Sequence, residues 1–193
     1  MTSPYPNQLC KQLDPFVQHP IVWQQELPQQ YTIALRPVSL ATEDDVQTIA
    51  AWMQQGYSTQ QTIEQLRVMY IIIAECNNSQ SFMVLLNDDP VGQLDIYQVN
   101  QDVLKDSYPS RDDDYRLHIP VIPATRQAAE LPLQVIQTSL DYCFSFPETG
   151  RIVWAIHTAD EQFKSIAGKT GFRLLYKFME GDKEMLLYGV ERS

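Results

Sequence analysis

Among the three histidines in 193 residues, two stand where a chain can position a proton carrier. His118 interrupts the apolar run YRLHIPVI (115–122), and His157 follows the apolar run RIVWAI (151–156). An imidazole, with an unperturbed pKa of about 6.5, suits a general base near neutral pH. Each also has a plainer use, His118 as a half-buried strand residue bonded to a neighbour and His157 as the polar end of a strand. His118 also opens HIPVIPATRQAAELPLQ (118–134), which reads as an apolar strand, a polar turn and the start of a helix. That is the layout of a turn that cradles phosphate on helix amide groups, without the glycines such turns carry. The run Asp112, Asp113, Asp114 offers charge to a cationic ligand, but acidic loop runs are commonly just solvated.

Bulk properties narrow the partners. A net charge of −10 argues against nucleic acid or an anionic membrane, both of which need clustered Lys and Arg. Cys10, Cys76 and Cys143 are far apart, odd in number and without histidine spacing, so neither a disulfide framework nor a metal site is expected. Cys143 lies on an apolar helix without a basic neighbour, which argues against a nucleophile. Trp23, Trp52 and Trp154 sit on apolar stripes and read as core or arm anchors. The N-terminus lacks the basic and apolar regions of a signal peptide, and the longest apolar run, 68–74, is too short to span a bilayer; a cytoplasmic protein is expected.

The elements that must hold these groups follow from periodicity. Residues 1–30, rich in Pro and Gln, read as an extended arm lying on a single domain, 31–193, with Phe16, Ile21, Val22 and Trp23 available to dock. A strand is expected at 31–38. A helix follows from Thr42 to about Gly56, and a second from about Thr59 with Ile63, Leu66, Tyr70 and Ile73 on one face. Two strands, 81–87 and 91–99, flank a turn at Asp88, Asp89 and Pro90. Another strand spans 115–122, and a largely buried helix begins near Pro132. After the strand at 151–156, Thr158 to Glu161 reads as a capping box opening a helix that Gly171 stops; two strands then turn at Gly181 and Asp182. The order gives an α/β chain with a mixed, mostly antiparallel sheet and helices on both faces.

That order, with LRPV (35–38), the acidic helix start, Trp52 and Met53, and KTGFRLL (169–175), resembles the GNAT superfamily of N-acyltransferases from about residue 31 onward. DIYQVNQDVLKDSY (95–108) followed by DDDYRLHI (112–119) is similar to the branch that acylates hydroxamate siderophore precursors, which itself resembles aminoglycoside acetyltransferases. The resemblance implies a sheet splayed between 115–122 and 151–157, and acetyl-CoA or another acyl-CoA as donor. It implies that Ile119, Val121 and Ile122 line the pantetheine arm, and that Arg126, Gln127, Ala128 and Ala129 face the pyrophosphate, with Asp160 also on the donor side. It implies an amine or hydroxylamine acceptor held by Asp95, Tyr97, Asp102 and Tyr108, with His118 or His157 as base. Proteins of this superfamily are often dimers, so a homodimer is implied by analogy.

Departures from the family pattern cluster on the donor side. Ala128 stands for a glycine, Glu130 brings a negative charge toward the diphosphate, and Pro132 removes an amide hydrogen. Asp160 stands for a common Asn, and Ala167 for an aromatic residue that is often a thiolate-protonating Tyr. His157 occupies the place of a carboxylate that would assist His118. The expected function is therefore acyl transfer from coenzyme A to a small primary amine or N-hydroxylamine, in siderophore biosynthesis by the branch resemblance. The alternative is a GNAT-fold protein with a degenerate donor site that acts as a non-catalytic binding or assembly module.

Overall fold

The computed structural model describes residues 8–56, 61–121 and 130–192. Eight strands form one sheet in the order β1-β2-β3-β4-β5-β6-β8-β7. They are β1 (Trp23–Glu26), β2 (Thr32–Pro37), β3 (Ser79–Leu86), β4 (Asp89–Gln98), β5 (Asp114–Val121), β6 (Arg151–His157), β7 (Arg173–Glu180) and β8 (Lys183–Glu191). The helices are α1 (Asp44–Gly56), α2 (Ile63–Glu75), α3 (Leu131–Phe144) and α4 (Glu161–Lys169). Every strand pair is antiparallel except β5–β6. The mixed, mostly antiparallel sheet expected from the sequence is therefore the one found.

Alternation along the strands sorts the core into layers. Leu35, Phe82, Leu94, Ile96, Leu117 and Trp154 face α3 and α4, while Ala34, Met83 and Leu85 face α1 and α2. Truncating a fully buried residue such as Leu94 to Ala would cost about 2–5 kcal/mol. On the α1/α2 side, the segment 99–108 covers the far half of the sheet, where Val99, Leu104 and Tyr108 meet Val153 and Leu187.

Several local features differ from expectation. The N-terminal arm supplies β1, paired with β2 from Trp23↔Leu35 to Glu26↔Thr32, and buries Leu9, Cys10 and Val22, whereas Phe16 stays exposed. The β3–β4 turn lies at Asn87 and Asp88, both with positive φ (49° and 68°), as a tight two-residue hairpin requires. Asn87 also accepts from the Thr32 amide and donates its own amide to the Thr32 carbonyl, tying the hairpin to β2. Thr62 and Gln65 form the capping box of α2. Asp160, not Thr158, caps α4, because its carboxylate accepts from the Phe163 amide at 3.0 Å. Gly171 and Gly181 take φ of 84° and 64°, which explains why each stop needs glycine.

Candidate active site

Strands β5 and β6 pair in parallel only from Asp114↔Arg151 to Leu117↔Trp154. Beyond that point β5 continues along β4 to Val121, and β6 continues along β8 to His157. The two strands part there, leaving a notch in the middle of the sheet where no strand among the described residues pairs with 118–121 on their β6 side. The divergence has a local cause. Between Asp95↔His118 and Gln93↔Val121, β5 holds one residue more than β4, so a bulge containing Pro120 bends β5.

His118 is the first β5 residue past the fork. Its register partners form a polar row across three strands, Ser81↔Asp95 and Asp95↔His118. Residues directly opposite in a sheet share a face, and this face is the one α1 and α2 cover. The Asp95 side chain is 4% exposed and that of His118 is 45% exposed, with Asp95 Oδ2 lying 3.3 Å from His118 Nδ1. A buried carboxylate must find hydrogen-bond donors; Ser81 Oγ and Gln93 Nε2 both donate to Asp95 Oδ1. The result is a buried carboxylate held from behind by two donors, with its second oxygen facing Nδ1 of the imidazole.

Tyr97, two residues along β4, places its ring centroid 6.4 Å from that of His118. Burial, reinforced by the Asp95 charge, holds its phenol far above the usual value of 10. Tyr70 of α2 is raised for the same two reasons. Both are neutral donors near neutral pH. Tyr70 Oη and Gln93 Oε1 are buried without a hydrogen-bond partner among the described residues, so the surroundings of Asp95 retain polar capacity for a water molecule or a ligand.

The other residues singled out from the sequence fall elsewhere. Asp102 caps the 3-10 turn Val103–Asp106 by accepting from the Leu104 amide at 2.8 Å, and pairs with Arg116 at 3.2 Å. Tyr108 donates its hydroxyl to Asp114 Oδ2 at 2.7 Å, and Asp114, fully buried, takes Nε and Nη2 of Arg151 at 2.7 and 2.6 Å. This cluster locks β5 to β6 below the fork. His157 is exposed at the end of β6, where Nδ1 accepts from the Ala159 amide at 3.1 Å. Asp160 spends its carboxylate on the α4 cap. Ile119 lies buried on the α3/α4 face, and Val121 ends β5. Ile122, Arg126, Gln127, Ala128 and Ala129 lie outside the described residues. Asp112, Asp113 and Asp114 do not act as one patch: Asp114 is the buried partner of Arg151, while Asp112 and Asp113 are exposed.

Sequence reasoning missed Ser81 and Gln93, and gave Asp95 to the acceptor rather than to His118. The available signal was register. With β4 and β5 antiparallel, polar residues buried in otherwise apolar strands and facing one another mark a site.

A coenzyme A arm fits this geometry on two counts. The β6-facing side of residues 118–121 offers unpaired backbone to an extended chain carrying amides. Among the described residues the start of α3 has no side-chain cap: Glu130 is exposed and makes none, and Pro132 is buried within the first turn. Glu130 lines a cavity of about 300 Å³ with Leu27, Tyr31, Leu86 and Gln134 on the β2 side. No group of His, Cys, Asp and Glu able to hold a metal occurs among the described residues, and no described helix is long and apolar enough to cross a membrane.

Known structures share this architecture. An uncharacterized protein from Bacillus halodurans superposes with a TM-score of 0.79 at 18% identity, covering 88% of this chain and 89% of its own. Aminoglycoside acetyltransferase AAC(6')-Ib in complex with coenzyme A gives 0.72 at 15% identity over 83% of this chain and 95% of its own. Mycobacterium smegmatis RimJ in complex with CoA-disulfide gives 0.65 at 17% identity, covering 83% and 82%. No curated protein sequence matches this chain. The family pattern described as an acetyltransferase (GNAT) domain matches residues 41–179, and with the forked sheet this shows that the chain belongs to the GNAT acetyltransferase family.

Proposed function

We propose that the protein transfers an acyl group from coenzyme A to a small primary amine or N-hydroxylamine, with His118 as general base. The observation that carries the proposal is the His118–Asp95 pair at the fork of β5 and β6. Bound acyl-coenzyme A would supply the thioester carbonyl; the acceptor nitrogen forms the new C–N bond as the acyl C–S bond breaks, and coenzyme A leaves as a thiolate that takes up a proton. Residues 118–121 would hold its arm as an added strand, and the family resemblance assigns its diphosphate to the segment with Arg126, which lies outside the described residues. Asp95 accepts from Nδ1–H, which leaves Nε2 with the lone pair that takes a proton from the attacking nitrogen. Tyr97, a neutral donor beside the imidazole, orients the acceptor. The resemblance to the hydroxamate branch, with Asp95 where that branch has Glu and with Tyr97 and His118 at matching places, favours an acceptor of the siderophore-precursor kind. The amine acceptors of neighbours such as aminoglycoside and spermidine N-acetyltransferases belong to the same chemical class.

A second reading, a binding module without turnover, draws on the donor side. Ala167 is fully buried where a thiolate-protonating tyrosine is common, so no side-chain acid stands there. Calorimetric titration with acetyl-CoA, backed by thermal shift, separates the two. Micromolar binding is expected of the transferase, and absence of binding would leave the module as the better account.

A further inference from the structure

A further hollow lies at the end of the sheet away from the fork. Asp114 precedes His118 by four residues on β5, about 13 Å at about 3.3 Å per residue, and pairs in register with Arg151 of β6. Arg151 stands opposite Glu191 of β8, and two residues away along β8 Gly189 stands opposite Arg173 of β7. Residues opposite one another, and residues two apart on a strand, share a face. The two arginines and Glu191 therefore rise from one side of the sheet around a position that has no side chain. A cavity of about 470 Å³ opens there, its lining including Arg151, Arg173, Leu175, Gly189 and Glu191. Leu175 is the extra residue of the β7 bulge, and its Cδ1 lies 2.5 Å from where a Cβ of residue 189 would stand. Glycine at 189 thus lets an apolar side chain floor the hollow.

The polar groups around this floor have capacity to spare. Arg151 is 7% exposed, and Asp114 takes its Nε and Nη2 at 2.7 and 2.6 Å, yet its Nη1 donates to no described residue. A guanidinium so deeply placed calls for partners on all its N–H groups. Arg173 is exposed and forms no ion pair with a described residue. Glu191 meets Arg111 through Oε1 at 3.0 Å, and its side chain is 61% exposed, so the carboxylate has room for another donor. Two guanidiniums, one carboxylate and an apolar floor match a ligand with a carboxylate, an ammonium and an apolar side chain. A bare phosphate would meet the Glu191 charge, and a bare amine would meet two arginines.

We propose that this hollow binds an aliphatic α-amino acid, with its carboxylate on Arg151 Nη1 and Arg173, its ammonium on Glu191 and its side chain over Leu175. Charge-assisted hydrogen bonds of this kind fix both ends of the ligand. The site is separate from the fork and does not rest on the acyl-transfer reading.

Calorimetric titration of the full chain with L-leucine should give a dissociation constant on the order of 1 mM, in keeping with so small a ligand. L-leucinol, which lacks the carboxylate, and isocaproate, which lacks the ammonium, should each bind at least about tenfold more weakly. Arg173→Gln should weaken leucine about tenfold, and Glu191→Gln should abolish the preference for leucine over isocaproate. Both positions are exposed, so both variants should remain folded by circular dichroism. Leucine also carries an amine, so its location is read separately. In proton–nitrogen correlation spectra the amides of Gly171 and Gly189 should shift while those of Tyr97 and His118 stay, and His118→Ala should bind leucine like the wild type. Absence of binding at about ten times the expected dissociation constant would overturn the proposal, as would phosphate binding as tightly as leucine, full affinity in Arg173→Gln, or shifts confined to the fork.

Discussion

The two sides of the fork, acceptor side and donor side in the proposed reaction, are built on different principles. On the acceptor side, Ser81, Gln93, Asp95 and His118 stand on adjacent strands, and each hydrogen bond between them leads toward one imidazole. On the donor side the polar residues at the strand and helix ends serve the backbone: Asp160 caps α4, His157 accepts from Ala159, and Ala167 packs in the core. A strand residue is fixed by two neighbouring strands and is expensive to move, whereas a helix-end residue can drift into capping without unfolding anything. In the proposed reaction, donor recognition would rest on backbone, which tolerates loss of side-chain partners, and proton transfer on a rigid row of side chains.

Substitutions sharpen or break this contrast. The largest effect after His118 itself is expected at Asp95→Asn, which leaves the geometry but presents an amide to Nδ1. Turnover should drop by about 10²–10³, less than at His118, with donor affinity unchanged, and a drop of less than about tenfold would make Asp95 a structural residue. Ser81→Ala removes one donor to the buried Asp95 carboxylate and should lower kcat by roughly tenfold, in line with a lost charge-assisted hydrogen bond of about 1.5–3 kcal/mol. On the other side of the fork, Asp160→Ala should cost about 1 kcal/mol of stability through the lost α4 cap, read as a lower unfolding midpoint in denaturant, with kcat unchanged. Smallest of all, His157→Ala should leave kcat within about twofold, because its Nδ1 is occupied by a turn amide and general-base losses run to 10²–10⁴; a hundredfold loss would transfer the base role to it.

Much of the fold was legible because period and punctuation agreed, as in the α2 stripe Leu66, Tyr70, Ile73 and the Gly171 and Gly181 stops. Strand β1 was not, since WQQE is short, polar and at the sheet edge, and gains its order only by pairing with β2. The site was legible in its parts and not in their connection. His118 and Asp95 were both singled out, yet their pairing depends on the β4–β5 register, which the long non-periodic connection 99–113 does not reveal. Conversely, Asp102 and Tyr108 looked like ligand contacts in a long polar stretch, and the structure gives them Arg116, Leu104 and Asp114 as partners. A loop carries no period from which such partners can be read.

The central claim is tested most directly by comparing wild type with His118→Ala for kcat and for acetyl-CoA affinity measured separately by calorimetry. The account predicts a fall in kcat of about 10²–10⁴ with the donor dissociation constant within about threefold. A variant that turns over like the wild type, or one that loses donor binding and kcat together, would contradict it.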